Sequence, residues 1–317
     1  MAEFAVTVIG SGSALPMHGR HPSCQVVQYE NYYCMIDCGE GTQSRLREAG
    51  IKPFKINLIL ISHLHGDHIF GLPGLLSSFS HLQRTEGLTI YGPIGIVGLL
   101  NEIKKYTELK INYPLQVFES NPKELVQIHT AGNLEIFTFP LHHRISCNGY
   151  LLREKTSILK LRKEAIESLK LSPEQIHLLQ KGEDIVIDGT LIQNKKLTYG
   201  DEMPMSYAYC SDTQYDQRII PWIKNVSVLY HETTFRNDLR LTAEQTGHST
   251  AGDAGRMAAA ADALCLLTGH YSSRYKDVSD ILQEAGEYFP YVLESIEGKR
   301  YNLRSLVHDL PGQTGMA

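Results

Sequence analysis

Three histidines and one aspartate fall within six consecutive residues of this chain, and all four are residue types that bind metal ions. The segment reads His63-Leu64-His65-Gly66-Asp67-His68. Imidazole nitrogens combined with a carboxylate oxygen suit Zn²⁺, with Mn²⁺ or Fe²⁺ as alternatives. Because the pattern His-x-His-x-Asp-His supplies ligands for two ions, we interpret the segment as part of a metal centre and not as a polar surface loop.

The residues just before this segment predict how it is positioned. Residues 56–62 form a short run that is rich in isoleucine and leucine and apolar on both faces. Such a run is typical of a buried central strand. We therefore predict that the six residues form the loop that leaves this strand, where Gly66 allows a tight backbone path.

Three other predicted strands also end in a histidine or an aspartate. Residues 134–139 lead to His142 and His143, residues 206–211 to Asp212, and residues 263–267 to His270. Side chains that follow strands at one end of a sheet are held rigidly and can face a shared cleft. From the residues alone, His142 and His143 are equally plausible ligands.

The candidate ligands number seven if His143 is chosen, which is enough for two metal ions that keep positions open for water. The set is His63, His65, Asp67, His68, His143, Asp212 and His270. Asp37, which follows another predicted strand, could be a ligand, a loop-organising residue or a hydrogen-bond acceptor for a metal-bound imidazole. We favour the last of these roles.

The composition limits the class of protein. The chain has 317 residues, of which 42 % are hydrophobic and 21 % charged, as in ordinary soluble globular proteins. Its net charge of −5 gives no general basic field, so a polyanionic partner would be held by local patches and by metals. Six cysteines without a Cys-x-x-Cys pair indicate reduced thiols. With no signal-type or membrane-spanning apolar run, we expect a cytoplasmic protein without membrane contact.

The alternation of predicted strands and helices indicates an α/β fold, but residues 153–196 interrupt it. In this stretch we predict a charged helix over residues 157–169, a second helix beginning at Ser172-Pro173, and a hairpin over residues 185–192. The stretch carries little core-like apolar surface and no candidate ligand, so we interpret it as a projecting insertion. Its first part has a local basic excess, formed by Arg153, Lys155, Lys160, Arg162 and Lys163.

Several short motifs along the chain match one known group of enzymes. They are residues 37–43 (DCGEGTQ), 63–68 (HLHGDH), 140–143 (PLHH), 211–213 (SDT), 231–235 (HETTF), 247–250 (GHST) and 269–275 (GHYSSRY). Together they resemble the metallo-β-lactamase superfamily and, within it, the ribonuclease Z family of zinc endonucleases, which remove 3′ trailers from precursor tRNA. The first histidine motif marks only the superfamily, whereas the HETTF and GHST segments are far more specific to the tRNA enzymes.

The resemblance implies a four-layer αββα sandwich, with residues 1–317 forming a single catalytic domain. It also implies two Zn²⁺ ions per subunit, and it selects His143 over His142. The first ion would be held by His63, His65 and His143 and the second by Asp67, His68 and His270, with Asp212 bridging the two.

The catalytic roles follow from the same resemblance. Asp67 would accept the proton of the nucleophile, and His248, oriented by Glu232, would act as general acid. Two metals about 3.5–4 Å apart would activate water, so no ribose 2′-hydroxyl is needed as the nucleophile. The products would be a 3′-hydroxyl on the tRNA and a 5′-phosphate on the trailer.

Residues 153–196 stand where the family carries an arm that grips the tRNA elbow. This chain departs from the family there, because residues 171–176 (LSPEQI) replace the usual glycine–proline tip. The family also implies a homodimer. The main alternative is another dinuclear-metal hydrolase, acting as a phosphodiesterase, thioesterase or lactonase. A non-catalytic relic is disfavoured, because such proteins usually lose ligands and all seven are present.

Overall fold

The computed structural model describes residues 2–155, 159–163, 169–199 and 204–310. The chain divides into a main unit, residues 1–153 and 205–317, and an inserted unit, residues 154–204. The insertion thus begins and ends later than the predicted 153–196, and Arg153 belongs to the main unit. In the part of the chain that the structure describes, no helix has the length and apolar character needed to cross a bilayer.

The first sheet of the main unit has seven strands in the order β18-β1-β2-β3-β4-β5-β6. The strands are β1 (Phe4–Gly10), β2 (Cys24–Tyr29), β3 (Tyr32–Ile36), β4 (Ile56–Leu60), β5 (Leu88–Pro93), β6 (Leu115–Ser120) and β18 (Arg300–Asn302). Strands β3 to β6 pair in parallel, and the others pair antiparallel. The predicted central strand is β4, which is buried between β3 and β5.

The second sheet also has seven strands, in the order β17-β16-β15-β14-β9-β8-β7. They are β7 (Val126–Ala131), β8 (Leu134–Leu141), β9 (Cys147–Glu154), β14 (Ser206–Cys210), β15 (Val228–Glu232), β16 (Cys265–Gly269) and β17 (Val292–Glu294). Strands β14 to β17 pair in parallel, so the residues that follow β14, β15 and β16 leave the sheet at the same edge.

The two sheets pack face to face, and helices cover their outer faces. Leu60 of β4 and Tyr207 of β14 belong to one buried cluster between the sheets. The α-helices described in the main unit are α1 (Thr42–Glu48), α2 (Gly66–Ile69), α3 (Leu72–His81), α4 (Ile96–Thr107), α7 (Arg240–Thr246), α8 (Ala251–Ala260), α9 (Ser279–Gly286) and α10 (Leu303–His308). Short 3-10 helices lie at Pro53–Lys55, Gln217–Trp222 and Asn237–Leu239. Helices α1, α3 and α4 pack on the first sheet and α8 and α9 on the second, which confirms the αββα arrangement.

The inserted unit has two short strand pairs and two helices. They are β10 (Lys160–Leu161) with β13 (Thr198–Tyr199), β11 (Ile185–Ile187) with β12 (Thr190–Ile192), α5 (Pro173–Gln180) and α6 (Asn194–Leu197). The predicted hairpin over residues 185–192 is confirmed, and Asp188 and Gly189 at its tip both have positive φ. Helix α5 begins as predicted, with a capping box between Ser172 and Gln175.

Two expectations about the inserted unit are wrong. Leu179, Ile185 and Leu197 are buried together, so the unit has a small core of its own, although its apolar residues are too scattered in sequence to suggest one. Lys160 and Leu161 form a strand, whereas we predicted a helix over residues 157–169. Residues 157–158 and 164–168 of that predicted helix lie outside the described residues.

The histidine segment is not entirely a loop. Residues 63–65 form neither helix nor strand, but Gly66–Ile69 form the short helix α2, so Asp67 and His68 lie on a helical turn. Helix α2 ends at Ile69 and α3 begins at Leu72, with Gly71 between them. The Gly71 amide donates to the Cys38 carbonyl at 2.9 Å, and a Cβ at Gly71 would overlap the Gly39 carbonyl oxygen. This tertiary contact breaks the helix.

Candidate metal centre

The ends of four strands bring the seven predicted ligands together in the main unit. His63 and His65 follow β4, and Asp67 and His68 lie on α2 directly beyond them. The other three residues, His143, Asp212 and His270, follow β8, β14 and β16. His142, which the residues alone left open as a ligand, is exposed and lies outside both ligand groups.

The first group consists of His63, His65, His143 and Asp212, whose ligand atoms lie within 4.8 Å of one another. The Nδ1 atom of His65 is 3.0 Å from His63 Nε2 and 3.3 Å from His143 Nε2. The Oδ2 atom of Asp212 is 3.5 Å from His63 Nε2 and 4.0 Å from His143 Nε2. Three nitrogens and one carboxylate oxygen therefore face a common point.

The second group consists of Asp67, His68 and His270. Their nearest atoms are 3.2 Å apart for His68 Nε2 and His270 Nε2, 3.5 Å for His68 Nε2 and Asp67 Oδ2, and 3.4 Å for His270 Nε2 and Asp67 Oδ2. The other oxygen of Asp212, Oδ1, lies 3.2 Å from His270 Nε2 and 3.5 Å from His68 Nε2. Asp212 thus presents one oxygen to each group, as a bridging carboxylate would.

These separations fit metal ligands. Tetrahedral Zn²⁺ with ligand distances of about 2.0–2.1 Å places its ligand atoms roughly 3.3–3.4 Å apart. His63 Nδ1 lies 3.0 Å from Ser62 Oγ, and His143 Nδ1 lies 2.8 Å from the Gly247 carbonyl. These bonds place the imidazole proton on Nδ1, so each Nε2 lone pair points toward the other ligands. Lone pairs facing each other in this way are stabilised by a cation.

Asp37 lies behind the second group and contacts no other candidate ligand than His68. Its Oδ2 atom is 2.8 Å from His68 Nδ1 and also accepts hydrogen bonds from Ser62 Oγ at 2.9 Å and Tyr209 Oη at 2.7 Å. Its Oδ1 atom accepts the Ser62 amide at 2.7 Å. This completely buried carboxylate has the geometry that orients a metal-bound imidazole, in agreement with the role we favoured.

Known proteins similar to this chain point to one family. Ribonuclease Z of Porphyromonas gingivalis is 40 % identical over 304 residues, which cover 96 % of this chain and 100 % of the relative. The chain belongs to the ribonuclease Z family. A family model described as "Anti-Pycsar protein Apyc1" matches residues 4–143, less than half of the chain.

Solved structures agree on the fold of this ribonuclease Z family member. Human tRNase Z, short form, superposes with a TM-score of 0.68 at 22 % identity, covering 94 % of this chain and 99 % of the human chain. The metallo-β-lactamase fold protein YhfI from Bacillus subtilis gives a TM-score of 0.66 at 21 % identity, with the same coverage. The predicted family and fold are both confirmed.

His248 and Glu232 form a hydrogen-bonded pair beside the predicted metal-binding residues. Both Glu232 carboxylate oxygens lie close to His248 Nδ1, at 3.0 and 3.1 Å. His248 Nδ1 is also 3.9 Å from Asp212 Oδ2. Burial lowers the pKa of His248, but the charges of Glu232 and Asp212 outweigh burial and raise it to about 9. Both charges therefore favour the protonated imidazole.

Charge is distributed unevenly between the two ligand groups. Burial and the neighbouring His68 lower the pKa of His63 well below its usual range, and burial also lowers the pKa of His65 and His143. Burial opposes protonation of His68, but the charges of Asp212, Asp37 and Asp67 raise its pKa to about 10. Burial thus favours neutral imidazoles in the first group, whereas nearby carboxylates favour positive charge on His68 in the second.

The structure adds residues that the sequence did not single out as functional. The Ala14 amide donates to Asp67 Oδ2 at 2.8 Å, so the loop that follows β1 contacts the site. Thr234 Oγ1 lies 2.9 Å from His270 Nδ1 and donates to Glu232 at 2.5 Å, linking a ligand to the His248–Glu232 pair. Thr234 lies inside the HETTF motif, which is the signal that could have identified it.

The predicted tRNA-binding residues lie on both units. Arg153 is on β9 of the main unit, 3.6 Å from Glu135, and its guanidinium lies over the Phe137 ring. Its charge is therefore partly compensated. The others belong to the inserted unit, where Lys160, Arg162 and Lys163 are exposed and Lys155 is half-buried.

Proposed function

We propose that this protein is a metal-dependent endoribonuclease that removes the 3′ trailer from precursor tRNA. The observation that carries the proposal is the placement of Asp212, with one oxygen on each of two ligand groups and the His248–Glu232 pair beside it. Two ligand groups joined by a carboxylate suit hydrolysis of a phosphodiester, and the family is that of ribonuclease Z. The cut would leave a 3′-hydroxyl on the tRNA and a 5′-phosphate on the trailer.

The cofactor in this proposal is Zn²⁺, with two ions per subunit. The first would be held by His63, His65 and His143 and the second by Asp67, His68 and His270, while Asp212 serves both. Support comes from the ligand separations and from the preference of Zn²⁺ for imidazole nitrogen. When bound at such a site, divalent ions supply water activation at neutral pH and stabilisation of charge on the phosphoryl group.

The residues of this chain would complete the reaction around that group. Water oxygen forms a bond to phosphorus, and the bond from phosphorus to the ribose O3′ breaks. We assign acceptance of the water proton to Asp67, whose carboxylate is held by the Ala14 amide. We assign delivery of a proton to the departing O3′ to His248, because its protonated imidazole is held by Glu232 close to Asp212.

The inserted unit would bind the tRNA body away from the cut. Arg153, Lys155, Lys160, Arg162 and Lys163 are the proposed contacts, and the exposed group Lys160, Arg162 and Lys163 is the strongest part of the set. The unit as a whole contains eight Lys and Arg residues against nine Asp and Glu residues. Binding of a polyanion would therefore depend on this local cluster and not on a general positive field.

The subunit arrangement and the compartment are also part of the proposal. The family resemblance supports a homodimer, which light scattering on the purified protein would test. All six cysteines are buried free thiols, a state that suits the reducing cytoplasm. The proposal therefore places the protein in the cytoplasm.

Cleavage of an end-labelled precursor tRNA by the purified protein tests the function. Bis(p-nitrophenyl) phosphate and S-lactoylglutathione, assayed in parallel, represent the alternative superfamily hydrolases. We expect one cut at the junction of tRNA and trailer, with the ends named above. Rapid turnover of the thioester and an intact precursor tRNA would replace the proposed function with a different hydrolase activity.

A further inference from the structure

A large aromatic side chain is exposed to solvent next to the candidate metal centre. Phe70 is 70 % exposed, although it directly follows the helix that carries Asp67 and His68. It lines a cavity of about 480 Å³ whose wall also includes Asp67, His248 and His270. Leu15, which is 56 % exposed, lines the same cavity.

Hydrogen bonds hold the backbone at Phe70 and at the residue that follows it. The Phe70 amide donates to the Gly66 carbonyl at 2.9 Å, and the Gly71 amide donates to the Cys38 carbonyl at 2.9 Å. Its ring lies against Gly66, where an added Cβ would overlap the ring atoms. These contacts place the aromatic ring next to the histidine segment.

Leu15 is positioned independently by contacts of the loop that carries it. The amide of the preceding Ala14 donates to Asp67 Oδ2 at 2.8 Å, and the Ser13 amide donates to the Tyr271 carbonyl at 2.9 Å. These bonds connect the loop to the predicted ligand Asp67 and to Tyr271, which follows the predicted ligand His270. Two apolar side chains from separate parts of the chain thus flank the same reaction cavity.

The exposure of Phe70 and Leu15 does not contribute to a hydrophobic core, and neither side chain can take part in the proposed proton transfers. Single exposed hydrophobic residues are common and need no explanation, but two that line the same cavity offer a surface for an apolar group of the substrate. The cavity wall also includes Arg144 and His248, whose N–H donors suit a phosphate and not a flat ring. Arg144 is exposed there.

We propose that Phe70, flanked by Leu15, stacks on the base of a nucleotide next to the scissile phosphate. The inference rests on the proposed function, in which the cut lies where the tRNA acceptor end meets a single-stranded trailer. Unstacked bases are bound in this way by aromatic side chains, and the contact tolerates any sequence because every base has a π face. Phe70 is then a positioning residue that aligns the phosphate with the metal centre.

The test compares Phe70→Ala, Phe70→Leu and Phe70→Trp with wild-type holoenzyme on precursor tRNA. Loss of a stacking contact is expected to lower kcat/KM by between about fivefold and a hundredfold in the Ala variant. The Leu variant should resemble Ala, and the Trp variant should retain wild-type activity. Metal content should be unchanged in all three. Tyr106→Ala is the matched control, because Tyr106 is 76 % exposed on α4 and does not line the cavity.

Two modified precursors decide whether a base is the partner. One has an abasic site at the last tRNA nucleotide, and the other at the first trailer nucleotide. On the precursor that lacks the stacked base, wild type and Phe70→Ala should cleave equally well. A penalty that persists on both abasic precursors, or equal cleavage of the normal precursor by both proteins, would overturn the inference. A wild-type protein that leaves precursor tRNA uncut would contradict the proposed function, and this inference with it.

Discussion

Glu232 holds His248 through both of its carboxylate oxygens, which lie 3.0 and 3.1 Å from the Nδ1 atom of the imidazole. The same carboxylate accepts the Thr213 amide at 2.6 Å and the Ser249 amide at 3.1 Å. Because Glu232 is completely buried and held by these bonds, it can fix the imidazole without the entropy cost of ordering a mobile side chain. These bonds orient the His248 imidazole, whose ligand atom also lies within 4.8 Å of those of Asp212 and His270.

The first prediction separates the acid from the ligands. His248→Ala should retain its metal but lower kcat by about 10²–10⁴-fold, since that is the usual contribution of a positioned proton donor. Metal analysis and single-turnover cleavage of precursor tRNA measure the two effects. Loss of metal from this variant would make His248 a ligand and would remove its assignment as the acid.

The second prediction concerns the bridging residue. Wild-type protein purified without chelator should contain close to two equivalents of metal per chain, mostly zinc. Asp212→Ala should lose more metal than alanine at any of the six other ligands, because only Asp212 presents an oxygen to both groups. A wild-type value near one equivalent with full activity would contradict the dinuclear site.

The third prediction tests the carboxylate behind the second group. Asp37→Ala should lower metal affinity by about 10–100-fold, because His68 loses the acceptor that orients its ring. Tyr209→Phe is the matched control, since it removes one of the hydrogen bonds to Asp37 and leaves the carboxylate in place. Competition with a chelator measures both affinities. Equal affinity in Asp37→Ala and wild type would show that the ring is oriented without this carboxylate.

The fourth prediction concerns the inserted unit. Replacing residues 155–203 by a short Gly/Ser linker should leave turnover of bis(p-nitrophenyl) phosphate intact, since every predicted ligand lies in the main unit. KM for precursor tRNA should rise, and the dependence of binding on salt should become shallower as phosphate contacts are lost.

A triple variant, Lys160→Gln with Arg162→Gln and Lys163→Gln, should reproduce part of that effect without deleting the unit. Lys195→Gln with Lys196→Gln is the control in the same unit. An unchanged KM and salt slope in both the deletion and the triple variant would exclude the unit from tRNA binding.

The fifth prediction is structural. The guanidinium of Arg84 is nearly buried and donates to the carbonyls of Phe54, Ile56, Glu86 and Gly87 at 2.7–3.1 Å. Arg84→Lys cannot reproduce this planar set of donors and should lower the free energy of unfolding by about 2–4 kcal/mol. Urea denaturation measures the loss. Arg47→Lys, at an exposed position on α1, should unfold like wild type.

Much of the site was predictable because its signal is local in sequence. The histidine segment stands directly after β4, and His143, Asp212 and His270 each follow an apolar run, so residue type and strand pattern were enough to nominate them. The choice of His143 over His142 did not come from a signal that is local in sequence. It came from family resemblance, and the structure places the exposed His142 away from both ligand groups.

Only the tertiary structure decided how those ligands are oriented. Asp37 and Tyr209 are 172 residues apart, yet Tyr209 Oη donates to the same Asp37 oxygen that contacts His68 Nδ1, and no period or motif connects them. The break at Gly71 and the contact of Ala14 with Asp67 likewise depend on backbone from distant segments.

The sequence by itself therefore determined the α/β class, the metal-binding residue types and the family. Periodicity and motifs report the surroundings of neighbouring residues along the chain. The core of the inserted unit, the exposure of Phe70 and the partners that fix each imidazole depend on packing between segments far apart in sequence. These features were decided only by the tertiary packing.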